Sequence, residues 1–260
     1  MDIKIPEHVD YILTKLRENG YEAYIVGGCV RDMLLNRVPG DFDVTTNALP
    51  SEINMIFSEN KTIDIGMKFG TVIVVLNEGN VEITTFRREG NYSDGRRPEW
   101  VEFVPTVEDD LSRRDFTINA IAYNNDSGFI DPFNGIDDLK GKIIRCVGKP
   151  EDRFKEDYLR ILRAVRFATC LDFTLEDDTF TSGKKYSKYV SQISMERVNK
   201  ELTKTLLSNT PSKGMRLLEK IELIPIILPE FVPSIGFDQH NPHHDKDVFS
   251  HTLCVMDNTP

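Results

Sequence analysis

A chain of 260 residues with 42 acidic and 32 basic side chains carries a formal charge of −10, and 40% of its residues are hydrophobic. That size exceeds one typical domain, so two or three units are expected, and the apolar content excludes an intrinsically disordered polymer. The acidic balance counts against nucleic-acid binding, which demands a basic surface, unless the basic residues cluster. They do cluster, at Arg87, Arg88, Arg96 and Arg97 and again at Arg145, Lys149, Arg153, Lys155, Arg160, Arg163 and Arg166. No apolar run reaches membrane-spanning length and no signal peptide opens the chain, so the expected location is the cytoplasm and no membrane partner is expected. Cys29, Cys146, Cys170 and Cys254 show neither zinc spacing nor a disulfide framework.

Val9, Ile12, Leu13 and Leu16 follow helical spacing after Pro6, and Asn19-Gly20 closes that segment. An apolar strand over 23–26 runs into Gly27-Gly28, a short helix through Leu35 and a second strand around 42–45. The runs 71–76 and 81–86 read as a hairpin joined by the four residues 77–80, which makes part of the sheet antiparallel. The polar segment from Tyr92 to Pro98 reads as a mobile loop. Beyond about Pro150 strand signals nearly vanish, and helices are predicted over 153–168, 175–190, 195–207 and 211–221. The expected domains are an α/β head over 1–148 with a mixed sheet, a helical neck and start of a body over 149–224, and a remainder over 225–260. Pro225, Pro229 and Pro233 mark a linker at the start of that remainder.

The first chemical constellation is Gly27-Gly28, Arg31-Asp32 and, after Pro39-Gly40, Asp41-Phe42-Asp43. Strand alternation puts Asp41 and Asp43 on one face, where two carboxylates repel unless cations compensate them. Hard Mg²⁺ suits such oxygens, and two ions about 3.5–4 Å apart support phosphoryl transfer. Backbone amides at Gly28 and the guanidinium of Arg31 would hold phosphate oxygens. Glu82, on the second hairpin strand, is a candidate third carboxylate. Its alternation partner Thr84 favours instead an exposed polar face, and both readings stay open.

The second constellation is Glu156-Asp157-Tyr158-Leu159-Arg160-Ile161-Leu162-Arg163-Ala164-Val165-Arg166, read as one helix. Asp157, Arg160, Arg163 and Arg166 recur every three residues, and each step slips by about 60°, so the four cannot all touch one group. That suits a division of labour: Asp157 and Arg160 toward a base, Arg163 and Arg166 toward other parts of a nucleotide or its support. A carboxylate accepts from the exocyclic amine of cytosine or adenine, whereas uracil and guanine present a carbonyl there. The competing reading is a solvated face with pairs such as Glu156 with Arg160.

The stretch IVGGCVRDMLLNRVPGDFDVTTNALP resembles the head of the bacterial class II tRNA nucleotidyltransferases, a family that also contains bacterial poly(A) polymerases. The resemblance continues through VEITTFR at 81–87, the loop 92–98 and RRDFTINA at 113–120. EDYLR at 156–160 matches the family's EDxxR block. It implies a polymerase-beta-like nucleotidyltransferase fold for the α/β head, followed by an all-α region. It implies transfer of a nucleoside monophosphate from CTP or ATP to the 3′ hydroxyl of a tRNA, releasing pyrophosphate. By resemblance Arg114 binds the nucleotide, Asp157 and Arg160 pair with its base, and Arg113 pairs with Asp115 or another carboxylate.

Within that chemistry, addition of CCA leads, and a poly(A) polymerase or an A-adding enzyme remains an alternative. A CC-only enzyme fits less well, because loop 92–98 is present. A non-catalytic RNA-binding module is the reading from another class, and a homodimer is left open. His240, His243, His244 and His251 resemble the opening of an HD-type helical region. The chain reaches Pro260 before the His-Asp pair that such a metal site needs, so it is expected to be a shortened version of a longer enzyme. No metal role is read for His251 and no HD-type phosphohydrolase is expected.

Overall fold

Val9, Ile12, Leu13 and Leu16 are all buried along one side of helix α1 (Glu7–Glu18), as their three- and four-residue spacing demands. The computed structural model describes residues 3–66, 69–90, 100–238 and 247–259. The loop expectation at 92–98, with Arg96 and Arg97, and His240, His243 and His244 lie outside the described residues. The chain divides into two units, 1–141 and 142–260.

In the first unit, α1 is followed by β1 (Ala23–Val26), α2 (Gly28–Leu34), β2 (Asp43–Thr46) and α3 (Pro50–Ile56). Next come β3 (Lys61–Gly66), β4 (Thr71–Leu76), β5 (Gly79–Thr85), and the small hairpin β6 (Arg87–Glu89) with β7 (Val101–Phe103). Helix α4 (Val107–Ser112), a 3-10 turn (Thr117–Asn119), β8 (Ala122–Asn124), β9 (Gly128–Ile130) and α5 (Gly135–Gly141) complete it.

Seven strands form one sheet in the order β3-β4-β5-β2-β1-β8-β9. Strands β2 and β5 run parallel, while the other neighbouring pairs are antiparallel. The predicted mixed sheet is therefore present, and its one parallel junction lies at the centre. Two local expectations change. Strand β5 already begins at Gly79, which pairs with Leu76, so the hairpin loop is the two residues Asn77 and Glu78 rather than four. Strand β2 begins at Asp43, so Asp41 lies on the approach to the strand, just after Pro39-Gly40, rather than within it.

The second unit runs through β10 (Ile143–Ile144), α6 (Pro150–Glu156), α7 (Leu159–Cys170), β11 (Thr174–Leu175) and α8 (Asp177–Tyr186). A 3-10 segment (Ser187–Gln192), α9 (Met195–Leu206), α10 (Pro211–Lys220), α11 (Ile224–Ile227), a second 3-10 segment (Pro229–Ser234) and α12 (Val248–Asp257) follow. Apart from the two-residue parallel pair β10–β11, the unit is helical among its described residues. Its core gathers Ile161, Leu162, Val165 and Ala168 of α7 with Val198 and Leu202 of α9 and Met215 and Leu218 of α10. At Gly214 a methyl group would strike Thr205 and Thr169, which is why α10 can approach so closely.

The single helix predicted over 153–168 is two helices. Asp157 takes an extended conformation (φ −150°, ψ 107°) between α6 and α7. Its carboxylate accepts the Leu159 amide at 2.9 Å, an alternative to continued helix that short acidic side chains offer their own backbone.

Candidate active site

Strand register builds the first part of the site. In the antiparallel pair β1–β2, Val26 at the end of β1 lies opposite Asp43 at the start of β2. In the parallel pair β2–β5, Asp43 lies opposite Glu82. On the far side of β1, Val26 pairs with Ala122, and the Gly27 amide donates to Ile121 O at 3.1 Å. One sheet edge thus brings Glu82, Asp43, the Gly27-Gly28 turn and the segment before β8 side by side.

Both carboxylates on this row feel their surroundings. Although solvent reaches its tip, Asp43 is held above the usual carboxylate range, first by the protein wall that desolvates it. The Arg114 charge pulls it back down and Asp41 pushes it further up. Glu82 is raised too, by desolvation first, then by Asp43, with Arg87 opposing and Asp41 adding. Among the described residues no group of three His, Cys, Asp or Glu side chains could hold a metal ion by itself. The donor set instead fits a hard cation bound by one or two carboxylates and completed by phosphate oxygens, the usual manner of Mg²⁺.

Gly27 has φ +81°, and a methyl group there would lie 2.6 Å from Arg114 Nη1, so only glycine lets the turn and the guanidinium coexist. Gly28 opens α2, and Arg31 follows one turn later. Arg31 donates from Nη1 to Asn119 Oδ1 (2.7 Å) and from Nε to Asp32 (2.9 Å). Asn119 in turn donates to the buried Asp115 at 3.1 Å. Arg114 reaches Asp110 at 3.6 Å and Asn119 O at 3.5 Å, while its Nε is buried without a hydrogen-bond partner among the described residues. The Asp110 carboxylate and the Asn119 carbonyl thus hold the guanidinium beside the Gly27 turn.

Asp110 is the residue that the sequence reading missed. Fully buried, it accepts Arg113 Nε (3.0 Å) and Nη2 (2.9 Å), the Arg87 amide (3.2 Å) and the Thr45 hydroxyl (3.4 Å). Arg113 also pairs with Glu89 at 2.7 Å, and Arg87 with the same carboxylate at 2.8 Å. The expected carboxylate partner of Arg113 is therefore Asp110 with Glu89. The signal was available as spacing, since Asp110 stands three and four residues before Arg113 and Arg114.

In the second unit the residues of the EDxxR block are engaged as follows. Asp157 Oδ2 accepts Arg197 Nη2 of α9 at 2.6 Å. Arg160, 8% exposed, donates to Glu156 and to the Arg153 carbonyl (3.2 Å). Arg163 lies 5.4 Å and Arg166 4.0 Å from the Phe167 ring centroid, and Arg166 Nε donates to the buried Glu201 at 2.5 Å. Arg160, Arg163 and Arg166 share α7, whereas Asp157 stands before it, so the three-residue slip applies to the arginines alone. Arg197 and Glu201 were also missed, and their four-residue spacing on one helix was the sign of a shared face. His251 lies on α12.

A sheet with this strand order, a glycine turn beside a strand-initial carboxylate and a helical unit after it define a nucleotidyltransferase head of the polymerase-beta type. Residues 23–145 match the family described as "Poly A polymerase head domain", and residues 172–234 match "Probable RNA and SrmB- binding site of polymerase A". The chain belongs to this family of poly(A) polymerases and CCA-adding enzymes. It is 50% identical over 212 residues to a CCA-adding enzyme of Ligilactobacillus salivarius (strain UCC118), covering 82% of this chain and 52% of that protein. It is 50% identical over 204 residues to one of Streptococcus pyogenes serotype M2 (strain MGAS10270), covering 78% and 50%. Among solved structures, it matches the Bacillus stearothermophilus CCA-adding enzyme in complex with CTP at 43% identity and TM-score 0.76, over 85% of this chain and 53% of that one. A tRNA nucleotidyltransferase complexed with a primer tRNA and an incoming ATP analog matches at 28% identity and TM-score 0.69, over 88% and 64%. The chain spans about half the length of the curated relatives it matches. No helix among the described residues is long and apolar enough to cross a membrane.

Proposed function

We propose that this chain is the nucleotidyl-transferring part of a CCA-adding enzyme, which extends the 3′ end of tRNA from CTP and ATP. The observation that carries the reading is the row formed by Glu82, Asp43 and the Gly27-Gly28 turn, with the half-satisfied guanidinium of Arg114 beside it. In this reading Asp41 and Asp43 hold Mg²⁺, which when bound neutralises phosphate charge and favours ionisation of the attacking hydroxyl. Glu82, in register with Asp43, supports the same cation charge. Gly28 lets the backbone approach the triphosphate, and Arg31, braced by Asn119, donates to its oxygens. Arg114, held by Asp110 and the Asn119 carbonyl beside the Gly27 turn, supplies positive charge to the nucleotide.

Base choice is assigned to Asp157 and Arg160. An ionised carboxylate accepts from the amine that cytosine and adenine share, and a guanidinium donates to ring acceptors, a pairing worth about 1–3 kcal/mol of discrimination. Arg163 and Arg166 contact or support the remainder of the nucleotide. The family name of the head domain favours a second reading, addition of a long A tract.

Incubation with tRNA lacking its CCA end, with CTP and ATP separately and together, separates the two. Two additions with CTP alone and three with both nucleotides support CCA addition, and long tails with ATP alone select the second reading. Absence of any incorporation would overturn both.

A further inference from the structure

Trp100, the single tryptophan of the chain, is 53% exposed and stands directly before β7. Its carbonyl accepts the Gly90 amide at 2.9 Å, which carries the β6–β7 pairing one step beyond Glu89 and Val101. A methyl group at Gly90 would lie 2.2, 2.5 and 2.6 Å from Cε2, Nε1 and Cδ2 of the indole. Cε2 has all three of its bonds inside the ring system, so a neighbour can be nearest to it only from above or below the plane. One face of the indole therefore lies on Gly90, while solvent reaches the rest of the side chain. We propose that Trp100 is a stacking platform for an unpaired base at the acceptor end of the RNA. The inference rests on the proposed transfer to an RNA 3′ end.

The register sorts the two faces of the ribbon. Arg87 and Glu89 share one face with Val101 and Phe103, and Arg88, Gly90, Trp100 and Glu102 share the other. The first face is anchored, since Glu89 accepts Arg87 and Arg113, and Phe103 packs on Gly70, where a methyl group would lie 2.7 Å from its Cε1. The same anchors place the ribbon on the carboxylate side of the sheet. Asp43 and Thr45 alternate to one side of β2, and Asp110 accepts both the Thr45 hydroxyl and Arg113, the arginine that Glu89 binds. The Arg87 charge also acts on Glu82.

An indole with one face covered offers the other for stacking, and every base has a π face, so the contact is indifferent to sequence. The base of the incoming nucleotide is assigned to Asp157 and Arg160, which leaves the acceptor strand for a platform on the head. Its last bases are unpaired, and such bases can splay onto an aromatic ring. Beside Trp100, Arg88 is paired with Asp109 and faces Glu102, so the outward face offers little net charge to phosphate. The contact it can make is stacking. The other use of such a ring is to cover a glycine in a β-ribbon, and the two uses differ in what RNA binding does to the indole.

The test uses the chain's own fluorescence, since tryptophan emission comes from Trp100 alone. A tRNA ending in CC, a blunt RNA duplex and CTP are titrated separately, with RNA binding followed in parallel by anisotropy of a label on the RNA. The tRNA should quench the emission in step with its anisotropy, and neither the duplex nor CTP should. In extension of the same tRNA with ATP, Trp100→Leu should raise KM for the tRNA by about five- to a hundredfold, with kcat and KM for ATP changed far less. Trp100→Phe should recover most of that loss. Binding of the tRNA without quenching, or equal quenching by CTP or the duplex, overturns the platform and leaves the transfer reading standing. Absence of tRNA binding by the wild type removes both. An unchanged KM in Trp100→Leu, or a loss shared equally by kcat and both KM values, marks a ring that merely covers Gly90 and overturns the proposal. Should Trp100→Leu fail to fold, the quenching of the wild type decides alone.

Discussion

Asp43 and Glu82 stand opposite each other in a parallel ladder, both raised above the usual carboxylate range, by desolvation first, then Asp43 by the charge of Asp41 and Glu82 by those of Asp43 and Asp41. A carboxylate raised in the folded state contributes stability below its unfolded value and loses it as pH rises through the folded value. At neutral pH the pair therefore works against the fold. Asp43→Asn should raise the melting temperature of the metal-free protein by about 1–4 °C, the effect of relieving up to about 1 kcal/mol of cross-strand repulsion. The same variant should weaken Mn²⁺ binding at least about tenfold, followed by electron paramagnetic resonance. In the wild type, Mn²⁺ binding should fall as pH drops while still above the ordinary carboxylate range near about 4, since protons then displace the cation. Gly27 is constrained twice, by φ +81° and by Arg114 at 2.6 Å from the missing methyl group. Gly27→Ala should cost about 1–3 kcal/mol in urea denaturation and weaken CTP binding through displacement of Arg114.

At the scale of elements, the sheet was largely legible because burial follows apolar periodicity. Strand β1 appeared where the run 23–26 predicted it, and the buried face of α1 matched its four apolar positions. What the pattern did not reveal was pairing across distance. Nothing local announces that Asp43 faces Glu82, or that Asp110, whose spacing to Arg113 and Arg114 was readable, also gathers the distant Thr45 and the Arg87 amide. The break at Asp157 was missed because charge spacing reads as helix on both sides of it, while the decisive bond to Leu159 is a matter of backbone geometry. The spacing of Arg197 and Glu201 marks a shared face of α9, but their partners, Asp157 and Arg166, follow only from the packing of α9 on α7. Asp110→Ala should destabilise by about 3–5 kcal/mol, because it strands buried arginines, and a urea midpoint shift without a change in slope would check it.

For the whole molecule, the formal charge of −10 does not describe every segment: Arg160, Arg163 and Arg166 stand together on α7, with Glu156 paired to Arg160 and Glu201 to Arg166. The matches to CCA-adding enzymes run through the head and into the helical unit, over 82% of the chain for the Ligilactobacillus protein. Chemistry and base choice are assigned to separate units, Asp41 and Asp43 in the first and Asp157 and Arg160 in the second. The two should therefore be separable by mutation. The most direct test is pyrophosphate release on mixing the chain with CTP, Mg²⁺ and tRNA lacking its CCA end, compared between wild type and Asp43→Asn. The account predicts one pyrophosphate per nucleotide added by the wild type and a loss of at least about a thousandfold in rate for Asp43→Asn with CTP binding largely retained. Undiminished release by Asp43→Asn would contradict it.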